Sequence, residues 1–448
     1  MLECMGTENM ALEDVRFYVL LQEHMLGVVI SDYESMRTTK SLKPEQSSLG
    51  TFLFMSRLTE LSSYASLGAQ PASLRSLPGA FLSPTSRQWW PEDSDVAGAS
   101  VGICKLQHLY DISVAKMASM KSRLLPAASA EDFTYVARGC LVTAAFGNTS
   151  AWIQAALSKT TSTTGGTSFH GLQLGLGWLQ ANDERWSWSR RWAKSIFTTA
   201  GQVYPSPPEI DINIYKNVCV QEGILRPSDS RLQCKMSTNF GDPRLLLQPL
   251  KLEVLSLKPR VVVISDFMSS SEVRYIRSAA RDEFKRAAFL ALGKLLEKLS
   301  RRIEVTTGLS LESAEAYQVS NYGLAGHYTP HLDASEFDTV ASVHELDNGN
   351  RLATVLMYLT NVAAGGATAF VSLGVAVKPR VGDALFWYDV EPYDGSEFPE
   401  HMSFWHQKRQ ADPLTTHVGC PVLWGSKWIV TKWIHERSNV IVKYNTPG

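Results

Sequence analysis

The residues with the clearest potential for chemistry lie in the stretch NYGLAGHYTPHLDAS, residues 321–335, where one residue separates His331 from Asp333. On a β-strand, residues i and i+2 point to the same side, so this spacing would present an imidazole and a carboxylate on one surface. A His-x-Asp triplet also occurs at the edge of ordinary strands. A third ligand is therefore required before the pattern predicts a metal site.

The third candidate is His417, in the apolar run THVGCPVLWGSKWIVTKWIHE near the C-terminus. Two histidines and one carboxylate on one face form the facial triad of non-haem Fe(II) oxygenases, whose open positions accept a 2-oxo acid and dioxygen. Lys427 lies further along the same run. A buried ammonium is costly without an anion beside it, so we expect Lys427 to pair with the far carboxylate of a dicarboxylate co-substrate.

The composition excludes several other classes of protein. The chain has 448 residues, 44% of them apolar, with 43 Lys and Arg against 44 Asp and Glu. This length predicts at least two domains, and the balanced charge argues against nucleic acid as a partner. The most apolar run, DVRFYVLLQEHMLGVVISDYE, is interrupted by Gln22, Glu23 and His24, so neither a membrane span nor a secretory signal is visible.

The pattern of apolar residues predicts an α+β protein with four segments. Residues 1–125 read mostly as helix, with Leu12, Val15 and Val19 on one face, and residues 126–205 form a second, tryptophan-rich helical block. Residues 206–258 read as a linker. Residues 259–440 carry a capping-box signature followed by short alternating runs between glycines, which predict a β-rich barrel or sandwich.

Six cysteines are too few and too scattered for a small disulfide-stapled fold, and no CxxC motif is present. Cys219 and Cys234 enclose a short loop, so a local disulfide between them is one option. The spacing alone does not decide whether it forms.

Four motifs in order resemble the α subunit of collagen prolyl 4-hydroxylase, an Fe(II) and 2-oxoglutarate dioxygenase. They are NYG with HYTPHLD, NGNRLATVLMYLTNVAAGGATAF, GDALFWY, and HVGCPVLWGSKWIVTKWIHER. The resemblance implies a double-stranded β-helix (jelly-roll) domain over 259–440, a dimerisation-like domain over 1–125 and a TPR-like peptide-binding domain over 126–205. It also implies His331, Asp333 and His417 as iron ligands and Lys427 as the residue that binds the distal carboxylate of 2-oxoglutarate.

The same resemblance extends to further residues, cofactors and partners. Tyr322 and Thr368 are expected beside the co-substrate or the substrate proline, and Cys219 and Cys234 fall where the family has a cysteine pair. The implied reaction hydroxylates peptidyl proline to 4-hydroxyproline with Fe(II), O2, 2-oxoglutarate and L-ascorbate. The implied partners are a collagen-like peptide and a protein disulfide isomerase subunit in an oligomer. The implied compartment is the endoplasmic reticulum lumen.

The sequence departs from the family at several places. AAFLALGKLLEKLSRRIEVTT, residues 287–307, reads as a helix where the family has two strands that wall the co-substrate pocket. Leucines such as Leu141 and Leu176 occupy places where the family has peptide-binding tyrosines. Cys420 matches a family cysteine whose late partner is absent, so we expect a free thiol.

These departures support two alternatives. One is a catalytically impaired paralogue that dimerises or binds a partner, and the other is a dioxygenase for a non-collagen peptide. The remaining histidines of the C-terminal region are not expected to replace a ligand. We interpret His327 as a surface or supporting group, and we expect the others in loop-like or terminal positions: His344, His401, His406 and His435.

Overall fold

The computed structural model describes eleven stretches of the chain and four single positions near the N-terminus. The stretches are residues 92–118, 128–142, 149–159, 212–221, 232–239, 241–281, 287–290, 293–323, 325–335, 348–391 and 410–439, and the single positions are Leu49, Phe52, Leu53 and Ser56. The chain divides into two units, residues 1–205 and 206–448.

The described part of the first unit is helical. Its helices are α1 (Asp93–Leu109), α2 (Val114–Ala118), α3 (Ala130–Val142) and α4 (Thr149–Leu157). A disulfide between Cys104 and Cys140 joins α1 to α3, and the rings of Phe133 and Trp152 pack 5.7 Å apart between α3 and α4. The helix predicted around Leu12 and the second half of the block predicted over 126–205 lie outside the described residues.

The second unit consists of strands with three helices. Its helices are α5 (Ile212–Gln221), α6 (Ser270–Arg281) and α7 (Lys294–Thr307). Its strands are β1 (Cys234–Ser237), β2 (Leu250–Leu257), β3 (Arg260–Ser265), β4 (Ala287–Leu290), β5 (Tyr317–Tyr322), β6 (Tyr328–His331), β7 (Arg351–Tyr358), β8 (Ala364–Gly365), β9 (Thr368–Phe370), β10 (Val375–Val377), β11 (Ala384–Tyr388), β12 (His417–Gly419), β13 (Val422–Trp424) and β14 (Lys427–His435).

These strands form an eight-stranded major sheet in the order β1-β2-β3-β11-β7-β14-β5-β4, a four-stranded minor sheet in the order β10-β9-β12-β6, and the pair β13-β8. Neighbouring strands are antiparallel throughout the described pairs, as between β7 and β14 and between β12 and β6. The α+β class is confirmed. Within residues 206–258, for which the sequence predicts a linker, the structure places α5 and the first two strands of the major sheet.

The side chains of the major sheet alternate between its two faces, and both faces are covered by other elements. Val355 and Met357 of β7 lie in a core with Ile276 of α6 and Leu299 of α7. Leu356 and Tyr358 of the same strand lie in a second core with residues of the minor sheet. The helices therefore cover one face of the major sheet, and the minor sheet covers the other.

The start of α6 shows why the helical layer forms where it does. Glu272 accepts a hydrogen bond from the Ser269 backbone N–H at 2.8 Å, and the Glu272 N–H donates to Ser269 Oγ at 3.3 Å, which is the reciprocal pattern of a capping box. Glu272 also pairs with Arg302 of α7 at 2.8 Å. This single carboxylate thus caps one helix and holds the second against it.

Residues 287–307 correct the expectation of one continuous helix. Ala287–Leu290 form β4, which pairs with β5 at the edge of the major sheet, and α7 begins only at Lys294. The run AAFLAL has no polar face that a helix could turn to solvent, and Gly293 separates it from the amphipathic part. One strand therefore extends the sheet beside β5.

The cysteine pairing also differs from both expectations. Cys219 of α5 is bonded to Cys420 directly after β12, so Cys420 is not a free thiol. Among the described cysteines, Cys234 is free and exposed, and it is not bonded to Cys219. The partner of Cys219 is 201 residues away in sequence and is brought close only by the fold. The spacing of the cysteines in the sequence could therefore not predict this pairing.

The Cys219–Cys420 bond predicts a measurable contribution to stability. Closing a loop of this length restricts the unfolded chain, and removal of a native disulfide typically costs roughly 2–5 kcal/mol. The double variant Cys219→Ser/Cys420→Ser should lose this amount of unfolding free energy in urea. The exposed Cys234→Ser is the matched control and should change stability by less than about 0.5 kcal/mol. Equal stability of the double variant and the control would contradict the assigned pairing.

Candidate active site

Strand pairing brings together the three candidate metal ligands. His417 at the start of β12 lies directly opposite His331 at the end of β6, and Asp333 follows two residues later. One ligand atom from each of the three side chains lies within 4.8 Å of the others. Among the described residues, this is the one group of three His, Cys, Asp or Glu side chains with that spacing.

The two imidazoles are oriented by backbone carbonyls. His331 Nδ1 lies 2.8 Å from the Thr329 carbonyl oxygen, and His417 Nδ1 lies 3.1 Å from the Thr415 carbonyl oxygen. Each Nδ1 therefore carries the proton and donates it to the carbonyl, which leaves the Nε2 lone pair free. Both Nε2 atoms point to Asp333, at 3.6 Å from Oδ1 and 3.9 Å from Oδ2 respectively. This donor arrangement fits a divalent metal ion.

The protonation states of the three residues fit the same role. Burial, reinforced by His417, lowers the pKa of His331 to about 4, and burial also lowers the pKa of His417. Burial alone would raise the pKa of Asp333, but His417, His331 and Arg351 outweigh it, so that pKa is lowered. At neutral pH the cluster offers two neutral imidazoles and one carboxylate, the forms that ligate a metal.

Aromatic rings pack against both histidines of the cluster. The Tyr328 ring lies 4.1 Å from the His331 ring, and the rings of Trp387 and Phe370 lie 4.9 and 5.8 Å from the His417 ring. Tyr328 is half exposed, whereas Trp387 is fully buried. The site is therefore dry on the side of the major sheet and open beside Tyr328.

Lys427 projects from the first position of β14 into the space between the sheets. Its side chain is buried, and Nζ donates to Thr368 Oγ1 at 3.0 Å. Tyr358 donates to the same Thr368 oxygen at 2.9 Å, so the Thr368 hydroxyl uses both lone pairs as an acceptor and has its own proton left to donate. Lys427 and Thr368 together present hydrogen-bond donors without a carboxylate partner among the described residues.

The surroundings of Lys427 make its charge costly in the absence of an anion. Burial lowers the pKa of its ammonium to about 7. The Tyr322 and Tyr358 rings lie 5.8 and 6.0 Å from Nζ and provide only weak cation–π stabilisation. Burial raises the pKa of both tyrosines, so they remain neutral. The described residues around Lys427 therefore provide no anion that would compensate its charge.

A polar cluster links the ligand loop to the major sheet. Arg351 binds the Glu315 carboxylate at 2.6 Å, stacks on the Trp433 ring at 4.1 Å and donates to the Asp333 carbonyl oxygen at 3.3 Å. His435, expected in a terminal context, is instead the buried last residue of β14, and its Nε2 lies 2.9 Å from Glu315. Burial raises the pKa of Glu315, but hydrogen bonds from His435 and Arg351 lower it to about 2.

The structure thus places all six residues that the sequence singled out in the space between the two sheets. The ligand candidates form one cluster, while Lys427, Thr368 and Tyr322 form the adjacent pocket; their roles in binding remain predictions. Sequence reasoning missed Thr354 and Asp389, whose side chains lie behind Asp333. Both are polar residues in or next to apolar strands, the signal that could have identified them.

Residues 317–435 match the family model described as the 2OG-Fe(II) oxygenase superfamily. The match includes the ligand cluster and the Lys427 pocket and accords with the resemblance drawn from the motifs. It shows that this part of the second unit is similar to 2-oxoglutarate and Fe(II) oxygenases.

The chain also resembles α subunits of prolyl 4-hydroxylase. Prolyl 4-hydroxylase subunit alpha-1 of Gallus gallus is 34% identical over 247 residues, which cover 50% of this chain and 45% of that protein. Prolyl 4-hydroxylase subunit alpha-2 of Caenorhabditis elegans is 36% identical over 230 residues, which cover 46% of this chain and 40% of that protein. The matched region spans less than half the length of these relatives.

Among solved structures, the viral collagen prolyl hydroxylase of Paramecium Bursaria Chlorella virus-1, in complex with 2OG, aligns at 24% identity. The alignment covers 39% of this chain and 94% of that chain, with a TM-score of 0.31.

The cluster predicts a defined response to substitution of each ligand. Anaerobic titration of the wild type with Fe(II) should give a saturable binding isotherm, because three oriented donors face one point. His331→Ala, Asp333→Ala or His417→Ala should weaken Fe(II) binding by more than about 100-fold, beyond the effect of losing an outer hydrogen bond. His327→Ala is the matched control, since His327 lies outside the cluster. Unchanged binding in Asp333→Ala would refute the assignment.

Proposed function

We propose that the second unit is an Fe(II) and 2-oxoglutarate dioxygenase that hydroxylates peptidyl proline to 4-hydroxyproline. The observation that carries the proposal is the buried Lys427 ammonium beside a His331–Asp333–His417 cluster whose Nε2 atoms converge on one carboxylate. A metal cluster alone fits many reactions. A buried cation next to it selects a dicarboxylate co-substrate.

In this proposal, His331, His417 and Asp333 would hold Fe(II), which supplies the activation of dioxygen and the coupled decarboxylation of 2-oxoglutarate to succinate. The chain's own residues would bind and orient the co-substrate. Lys427 and Thr368 donate hydrogen bonds to the distal carboxylate, with Thr368 held in place by the Tyr358 hydroxyl. The apolar wall formed by Phe370 and Trp387 excludes water from the reacting side.

The substrate class and the setting are part of the proposal. The names of the relatives support a proline-containing peptide, which would enter beside the half-exposed Tyr328. The jelly-roll topology, the TPR-like peptide-binding role of 126–205, dimerisation through 1–125, the use of L-ascorbate and the disulfide isomerase partner rest on the resemblance. The disulfides Cys104–Cys140 and Cys219–Cys420 support an oxidising compartment such as the endoplasmic reticulum lumen.

No helix in the described part of the chain is long and apolar enough to span a membrane.

The activity can be tested directly with a proline-rich collagen-like peptide. The full chain is incubated with Fe(II), 2-oxoglutarate, ascorbate and O2, and 4-hydroxyproline and succinate are both quantified. We expect the two products in equal amounts, with neither formed by Asp333→Ala. Binding of iron and 2-oxoglutarate without any succinate would favour the impaired paralogue. Succinate formation that only another peptide stimulates would favour a non-collagen substrate.

The proposed role of Lys427 predicts that its substitution weakens co-substrate binding. Removal of the ammonium leaves the distal carboxylate buried and unpaired, at a cost of roughly 3–5 kcal/mol. Lys427→Ala should therefore raise the KM for 2-oxoglutarate by two to three orders of magnitude or more, at about 1.4 kcal/mol per decade. Iron binding should be retained, and Lys427→Arg should recover part of the affinity because it keeps the charge with a different donor geometry. A KM shift below about threefold, well under one decade, would show that Lys427 does not bind the distal carboxylate.

The lowered pKa of Lys427 predicts proton uptake on co-substrate binding. Above its pKa of about 7 the amine is neutral in the empty site, whereas the bound dianion stabilises the charged form and raises that pKa. Affinity should therefore be constant below pH 7 and fall by up to about tenfold per pH unit above it.

Titration calorimetry of the iron-loaded protein in two buffers of different ionisation enthalpy at pH 8 measures this uptake. Lys427→Arg is the matched control, because a guanidinium stays protonated at this pH and should take up no proton. Equal proton uptake in the wild type and Lys427→Arg would assign the effect to another group.

A further inference from the structure

Behind the ligand cluster, one hydroxyl lies between two carboxyl groups. Thr354 Oγ1 of β7 is 2.7 Å from Asp333 Oδ2 and 2.8 Å from Asp389 Oδ2. Thr354 and Asp389 are fully buried, and Asp333 is 9% exposed. No solvent therefore separates the three side chains, and their protons must satisfy both short contacts.

A hydroxyl has one proton to donate and two lone pairs with which to accept. If both carboxyl groups were charged, one contact would place a carboxylate oxygen against a Thr354 lone pair with no proton between them. Two short contacts are compatible only if one carboxyl is protonated and donates to Thr354, which then donates to the other. The geometry thus requires one proton in addition to that of the hydroxyl.

The surroundings assign this proton to Asp389. Arg351 donates to the backbone carbonyl oxygen of Asp333 at 3.3 Å, so a positive charge lies beside Asp333. Asp389 Oδ1 has no hydrogen-bond partner among the described residues. Burial and the Asp333 charge raise the pKa of Asp389 well above its usual value, although Thr354, Arg351 and the nearby Trp387 act in the opposite direction.

We propose that Asp389 is a positioning residue for the metal site: as a neutral acid it donates to Thr354, which donates to Asp333 Oδ2 and leaves Oδ1 free to bind the metal. This inference deepens the proposed function and rests on it for the identity of the metal. Asp333 Oδ1 accepts no hydrogen bond from the described residues, so the chain fixes the rotation of the carboxylate without occupying the second oxygen.

The main chain keeps the proposed donor in place. Trp387 of β11 pairs with Thr354 of β7, and Asp389 follows on the same face two residues later. The Asp389 N–H donates to the Leu352 carbonyl at 2.9 Å, and its carbonyl accepts from the Asp412 N–H at 3.0 Å. The carboxyl therefore approaches Thr354 from a backbone fixed on both sides.

Two pairs of variants test the hydrogen-bond chain. Asp389→Asn keeps a neutral donor at this position, whereas Asp389→Leu keeps the branched shape and removes the donor. Thr354→Ser keeps the hydroxyl, whereas Thr354→Val removes it. Anaerobic Fe(II) titration should give wild-type affinity, within about threefold, for the Asn and Ser variants. The Leu and Val variants should bind Fe(II) about 10–100-fold more weakly, the range for lost outer partners of metal ligands.

A second measurement detects the proton on Asp389 directly and needs no metal. Infrared spectroscopy of the metal-free protein at neutral pH should show a protonated-carboxyl C=O band that shifts in D2O and is missing from Asp389→Asn. This measurement still tests the proposal if Asp389→Leu does not fold, because it compares only the wild type and Asp389→Asn.

Three results would overturn the proposal: no band lost in Asp389→Asn, Fe(II) affinity of a folded Asp389→Leu equal to the wild type, or a loss greater than tenfold in Asp389→Asn. A wild type that shows the band and binds Fe(II) but forms no succinate would instead refute the proposed function alone.

Discussion

The site depends on the register of one short antiparallel ladder in the minor sheet. β12 lies between β6 and β9, so His417 has His331 opposite it on one side and Phe370 on the other. A slip of one residue would turn every side chain of β12 to the opposite face. His417 would then point away from Asp333, and Thr368 would no longer lie opposite Gly419. The ligand cluster and the co-substrate pocket therefore share one structural cause.

Stability and function are divided between the two faces of the major sheet. The face toward α6 and α7 carries apolar side chains whose burial is favourable by about 25 cal/mol per Å². The face toward the minor sheet carries Thr354, Asp389 and Lys427 among its apolar residues, and each of these is costly to bury without a partner. Apolar burial under the helical layer offsets the free-energy cost of burying these polar groups. Changes in the site should consequently alter binding more than folding when they keep size and hydrogen bonding.

The sequence predicted the parts of this arrangement that depend on local periodicity. The i, i+2 spacing of His331 and Asp333, the apolar run around Lys427 and the capping box of Ser269 and Glu272 are short-range patterns, and each is found in the structure. The α+β class followed from the same signals. The use of the six residues in binding remains a prediction, since proximity alone does not measure affinity.

The features that the sequence did not predict depend on contacts between distant strands. The bond between Cys219 and Cys420 requires α5 to pack near β12, which no local pattern indicates. Residues 287–307 were predicted as one helix, but the first four of them form β4, which pairs with β5 at the edge of the major sheet. Thr354 and Asp389 gained significance only when strand pairing placed both behind Asp333.

The charge of the filled site explains why a neutral Asp389 is consistent with the remainder of the structure. In the proposed site, Fe(II) would carry two positive charges and 2-oxoglutarate two negative charges, while Asp333 would supply one negative charge and Lys427 one positive charge. These charges sum to zero in a space that is closed to water on the side of the major sheet. A charged Asp389 would add one uncompensated negative charge beside Asp333, and a buried charge without a partner is costly. A neutral Asp389 avoids this penalty and still provides the hydrogen bond that orients Thr354. Burial lowers the pKa of Lys427 to about 7 in the empty site, and in the proposed site the bound co-substrate would compensate its charge.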